Sequence, residues 1–84
     1  MVYRQALTLS VWPNPSRGAL NVQWGGFAEV PQITVVDQLG RTLQTVPAQA
    51  RNGMAAVQLE LAAGVYYIRA SSKSGFRVQR VVLQ

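Results

Sequence analysis

The chain has 84 residues, of which 49% are hydrophobic and 13% are charged, a composition typical of one small globular domain. It contains no histidine, no cysteine and only three acids, Glu29, Asp37 and Glu60, which are scattered along the sequence. These counts exclude His-based and Cys-based catalytic triads and metal sites, so we expect no enzymatic activity, no metal and no cofactor. The net charge of +5 permits nucleic acid, anionic lipid or an acidic protein as partner without choosing among them.

Apolar and polar residues alternate with a period of two along most of the chain, which predicts half-buried β-strands. Asn52-Gly53 is a strong turn signal, and Lys73-Ser74-Gly75 has the spacing of a hairpin. In chain order, seven strands are predicted over residues 7–12, 20–24, 33–38, 43–46, 55–59, 65–72 and 76–83.

Seven short strands without a helical period predict an all-β domain, an antiparallel β-sandwich of the immunoglobulin type. A small five-stranded barrel fits the strand count less well but is not excluded. The whole chain, residues 1–84, is expected to be one domain, with Met1 to Gln5 as a loose linker. The predicted core consists of Leu20, Val22, Trp24, Ile33, Val35, Val57, Leu59, Tyr66 and Ile68.

Three turns carry unusual residues. Pro13-Asn14-Pro15, with Gly18 after it, must end the first strand, and it is either a rigid connection or an exposed surface that a partner recognises. In the segment from Asp37 to Arg41, the Asp37 carboxylate can cap backbone N–H groups while Gly40 takes a positive φ. Gly64 is expected to permit a tight entry into the strand that carries Tyr66.

The C-terminal region holds half of the basic residues and has no acid after Glu60. Arg77 and Arg80 point to opposite faces of a regular strand, so we do not expect one basic stripe or a nucleic-acid site. Among the successive apolar residues 81–83, at least one must point away from the core. No apolar run is long enough to span a bilayer or to form a signal-peptide core.

Four short motifs occur in order at characteristic separations: Pro13-Asn14-Pro15 with Gly18; Asp37 with Gly40-Arg41; Leu61 with Gly64-Val65-Tyr66; and the terminal run Arg80, Val81, Val82, Leu83 and Gln84. Together they resemble the type A C-terminal sorting domain of the type IX secretion system, the Por secretion-tail family, from about Leu7 to Gln84. The family commonly has Lys where this chain has Arg80, which keeps the charge but changes the donor geometry.

The resemblance implies a secretion signal at the C-terminus of a longer protein of Bacteroidetes-type bacteria. The cargo, on the N-terminal side, crosses the periplasm and then passes the outer membrane to the cell surface or the medium. Implied partners are the outer-membrane shuttle and translocon proteins and a sortase-like peptidase that usually removes the domain. The first and last motifs are the expected recognition residues, and the two central motifs are expected to be structural. An accessory carbohydrate-binding sandwich is the alternative, which exposure of Trp12 and Trp24 on one face would favour.

Overall fold

The computed structural model describes residues 6–46 and 53–84, and the regular structure of these residues consists of seven β-strands without a helix. The strands are β1 Thr8–Trp12, β2 Ala19–Gly25, β3 Gln32–Val36, β4 Thr42–Val46, β5 Met54–Gln58, β6 Gly64–Ser72 and β7 Gly75–Leu83. The predicted bounds agree closely, except that β3 ends two residues early because Asp37 already belongs to the turn. The expected N-terminal linker and Asn52 lie outside the described residues.

The strands form two antiparallel sheets, which confirms the predicted β-sandwich. The three-stranded sheet has the order β1-β2-β5, and the four-stranded sheet has the order β4-β3-β6-β7. In the constant-type immunoglobulin arrangement the fourth strand lies beside the fifth, in the sheet of the first two strands. Here β4 instead pairs with β3, because only a short turn separates them and a hairpin is the nearest pairing available.

The longest pairing joins β6 and β7, which run side by side from Gly64 opposite Leu83 to Ser72 opposite Gly75. Only Lys73 and Ser74 connect them, as the hairpin spacing predicted. This hairpin of two nine-residue strands places the chain's last motif at the edge of the four-stranded sheet.

The core lies between the two sheets and is built from alternate residues of the strands. Seven of the nine predicted core residues are buried, and Val11, Val46, Ala55, Ala70, Val81 and Leu83 are buried with them. Trp24 and Tyr66 are only partly buried, so the prediction of full burial was wrong for both. Tyr66 keeps its hydroxyl near the surface because it donates a hydrogen bond to the carbonyl of Ala62 at 2.7 Å, and Trp24 packs at the periphery of the core.

Candidate recognition surface

The loop after β1 is joined to the end of β7 by the side-chain amide of Asn14. Its Nδ2 donates to the carbonyl oxygen of Arg80 at 3.0 Å, and its Oδ1 accepts from the backbone N–H of Val82 at 2.9 Å. An amide can do both because it carries a donor and an acceptor on one plane. The Asn14 side chain thus takes the place of a backbone peptide group along the outer edge of β7.

Ser16 continues this pairing with its backbone. Its N–H donates to Val82 O at 2.9 Å, and its carbonyl accepts from the N–H of Gln84 at 2.8 Å, so a short parallel bridge forms with Leu83 between them. Its buried hydroxyl donates to Ala19 O and accepts from the N–H of Gly18. Sequence reasoning missed Ser16, because a serine in the run Pro15-Ser16-Arg17-Gly18 signals only a turn.

We call this pairing of residues 13–18 with residues 80–84 the loop–strand junction. It brings together the first and last predicted motifs, more than 60 residues apart in sequence. The junction also occupies the backbone hydrogen-bonding groups at the outer edge of the chain's end, namely the carbonyl of Arg80, the N–H and carbonyl of Val82, and the N–H of Gln84. Edge-strand addition by a partner at this end of β7 would have to displace the loop, so the surface offers side chains rather than a free edge.

The side chains at the junction divide into buried and exposed sets. Val81 and Leu83 are buried in the core, whereas Arg80 and Gln84 are exposed and Val82 is half-buried. Pro13, Asn14 and Pro15 are exposed beside them, and both X–Pro bonds of the loop are cis. One apolar residue of the terminal run points away from the core, as strand alternation predicted. A partner would therefore meet a proline-rich rim, one guanidinium and one valine.

The two central motifs meet at the start of β6, which pairs with the end of β7 that forms the junction. Asp37, Arg41, Gly64 and Tyr66 line a shallow depression, and Gly40 lies in the same turn with φ of +82°. Asp37 Oδ1 accepts the backbone N–H groups of Leu39 and Arg41, and Oδ2 pairs with Arg41 Nε at 2.7 Å. These contacts, led by the backbone N–H of Arg41, lower the pKa of Asp37 below its ordinary value. The prediction that Asp37 caps this turn is confirmed.

The structure also tests whether the two tryptophans could form a carbohydrate-binding platform. Trp12 is 39% exposed and points outward from the three-stranded sheet, whereas Trp24 pairs with Leu9 and packs against the core. The two rings are on opposite faces and form no shared platform, which argues against carbohydrate binding. Within residues 6–46 and 53–84, no group of three potential metal ligands comes together.

The structure is thus that of a small β-sandwich domain in which the loop after the first strand is hydrogen-bonded to the last strand. The family model of secretion system C-terminal sorting domains, Por_Secre_tail, matches residues 10–84. The chain belongs to this family and is a C-terminal sorting signal for type IX secretion, as its motifs indicated. A search of curated proteins finds no match.

A type IX sorting signal implies interaction with the secretion machinery and delivery across the outer membrane, to the cell surface or beyond. No helix in the described part of the chain is long and apolar enough to span a membrane.

Proposed function

We propose that the loop–strand junction is the surface by which the outer-membrane shuttle and translocon proteins recognise this domain. The domain arrives in the periplasm with its cargo, docks through the exposed side chains of residues 13–15 and 80–84, and is later removed by a sortase-like peptidase. The observation that carries the proposal is the hydrogen bonding of Asn14 to Arg80 and Val82, which joins the two motifs into one surface.

The hydrogen bonds of the junction fix the position of the exposed side chains. An exposed hydrogen bond contributes about 1 kcal/mol, and Asn14 alone makes two of them to β7. Arg80 contributes its guanidinium to no ion pair within the described residues. Its donors are therefore available for a carboxylate or a carbonyl of a partner, in the fork geometry that arginine provides.

A secretion reporter tests the proposal. A periplasmic signal peptide, a reporter enzyme and this domain are fused in that order and expressed in a host with the type IX machinery. Arg80→Gln and Val82→Ser are expected to leave the reporter in the periplasm, because they change the exposed side chains and keep the backbone pairing. Lys73→Gln, at the opposite end of the β6–β7 hairpin, is the matched control and should be exported normally.

Deletion of residues 81–84 is also expected to stop export, but it removes the buried Val81 and Leu83 and could act by unfolding the domain. The substitutions avoid that difficulty, and each variant's melting temperature shows whether it is folded. If folded Arg80→Gln and Val82→Ser reporters are exported as well as Lys73→Gln, the junction is not the recognition surface.

A further inference from the structure

The outer face of the four-stranded sheet is an exposed surface that shares Arg80 and Val82 with the loop–strand junction. Among the side chains that strand alternation places on it are Tyr67 and Arg69 from β6, and Phe76, Val78, Arg80 and Val82 from β7. Phe76 and Val78 are 54% and 46% exposed, unusually high for apolar residues on neighbouring positions of one strand face. We call these six residues the basic–apolar face.

The two arginines of this face are set among apolar side chains. Tyr67 lies directly opposite Arg80, and Val78 directly opposite Arg69. The Arg69 guanidinium also lies over the Phe76 ring, with Cζ 5.0 Å from its centroid. The ring holds the guanidinium at the surface, and an arginine with five N–H donors can contact a ring and an anion at the same time.

The charge around the face has one sign. None of the seven strands contains an acid, and Glu29, Asp37 and Glu60 all lie in connections between them. Within the described residues the one ion pair, between Asp37 and Arg41, is at the turn after β3. Arg69 and Arg80 therefore have no neighbouring carboxylate on their face to neutralise them.

We propose that the basic–apolar face binds the surface of an anionic phospholipid bilayer. Guanidinium groups form bidentate, charge-assisted hydrogen bonds with phosphate, and Phe76 and Val78 enter the boundary between headgroups and acyl chains. Tyr67 has the amphipathic ring that is enriched at this depth. The face thus combines the two attractions that hold a domain at a membrane interface, apolar burial and electrostatic attraction.

The composition of the face favours a bilayer over other anionic partners. A single-stranded nucleic acid is usually bound by successive aromatic rings on which its bases stack. On this face, two of the four β7 residues are valines, Val78 and Val82, which cannot stack with bases. A peptide or helix is usually bound in a groove or at a free sheet edge, whereas these residues lie on the broad side of a sheet. A bilayer surface fits because it is itself broad and demands no shape complementarity.

Co-sedimentation with vesicles tests the inference without any secretion component, so its outcome does not depend on whether the secretion machinery recognises the junction. The purified 84-residue chain is mixed with vesicles of phosphatidylglycerol in phosphatidylcholine, or of phosphatidylcholine alone. We expect binding to the anionic vesicles. Arg69→Gln and Arg80→Gln should each weaken it about fivefold, and the double variant about thirtyfold, as expected for arginines at an anionic surface.

Two further variants separate the face from general charge attraction. Arg77→Gln removes the same charge from the opposite side of β7, to which strand alternation directs residue 77, and should weaken binding less than about twofold. Phe76→Ser should abolish the part of the binding that persists at high salt, because screening does not weaken apolar burial. Circular dichroism establishes that each variant is folded.

Three results would overturn the inference. The first is failure of the unmodified chain to bind anionic vesicles. The second is an equal effect of Arg77→Gln and Arg69→Gln, which would show attraction by net charge alone. The third is binding to an oligonucleotide or an acidic protein, with the same arginine dependence, in the absence of vesicle binding.

Discussion

Gly18 is the residue at which the backbone of the junction is most constrained. Its φ of +128° is unfavourable for residues with a side chain, and a Cβ there would lie 2.6 Å from the carbonyl oxygen of Leu59. The close approach is needed because the carbonyl of Gly18 accepts the N–H of Leu59 at 2.8 Å. Gly18 therefore holds the loop against the segment after β5.

Gly64 also has a positive φ, of +158°, at the margin of the region that residues with a side chain rarely adopt. It differs from Gly18 in its surroundings, since a Cβ would make only ordinary contacts with the Tyr66 ring, from 3.7 Å. The entry into β6 therefore uses glycine's backbone freedom, as the sequence predicted, without a close approach to other backbone.

We predict that Gly18→Ala lowers the free energy of unfolding by at least about 2 kcal/mol, because it adds both an unfavourable φ and a backbone clash. Gly64→Ala is the matched control, which adds an unfavourable φ without a backbone clash, and should cost only about 1 kcal/mol. Urea denaturation of both variants measures the difference. Equal losses would show that the contact between Gly18 and Leu59 does not constrain the loop.

Among the elements, the turn between β3 and β4 gives the domain a pH dependence. The pKa of Asp37 is lowered in the folded chain, chiefly by the backbone N–H of Arg41, whereas in the unfolded chain it is near 3.8. A lowered folded pKa means that the carboxylate stabilises the fold above the unfolded pKa, and that this stabilisation is lost as the pH falls through the folded value.

We therefore predict that Asp37→Asn destabilises the domain at pH 7 and that its deficit shrinks as the pH falls below about 3.8. Melting temperatures of both proteins between neutral and acid pH measure the deficit. Arg41→Gln, which removes the ion pair and keeps the backbone donors, should cost less than Asp37→Asn. A deficit that is constant with pH would contradict a role for the carboxylate charge.

The elements also show what a sequence can and cannot predict. The alternation of apolar and polar residues located all seven strands, because in a half-buried strand every second residue points into the core and is apolar. The terminal run likewise predicted that at least one of its apolar residues would point away from the core, and Val82 does. The contact of Asn14 with β7 could not be predicted, since a side chain bonded to a distant backbone leaves no local pattern. The resemblance named both segments of the junction without indicating that they touch.

The sheet assignment of β4 marks a similar limit. The hairpin of β3 and β4 was evident from the short turn, but alternation does not say which other strands share their sheet. Partial burial of Trp24 and Tyr66 was missed for a related reason. Alternation tells on which face a side chain lies, whereas distance from the centre of the sandwich decides how completely it is covered.

At the scale of the whole molecule, one layer of mostly aliphatic side chains holds the two sheets together. Ile33, Val35 and Ile68 from one sheet and Val22 from the other have no exposed surface. At typical per-residue values a domain of 84 residues is stable by only about 4–13 kcal/mol. A single core residue therefore accounts for a large share of the total.

We predict that Ile33→Ala lowers the free energy of unfolding by about 2–5 kcal/mol, the transfer and cavity cost of emptying a closed core site. Val78→Ala, which also shortens a β-branched residue of this sheet but at a 46% exposed position, should cost less than about 1 kcal/mol. Urea denaturation monitored by tryptophan fluorescence measures both. Comparable losses of stability in the two variants would mean that the side chains between the two sheets are not closely packed. With the losses as predicted, the export reporter carrying Ile33→Ala should be secreted less than the one carrying Val78→Ala, because the junction exists only in the folded domain.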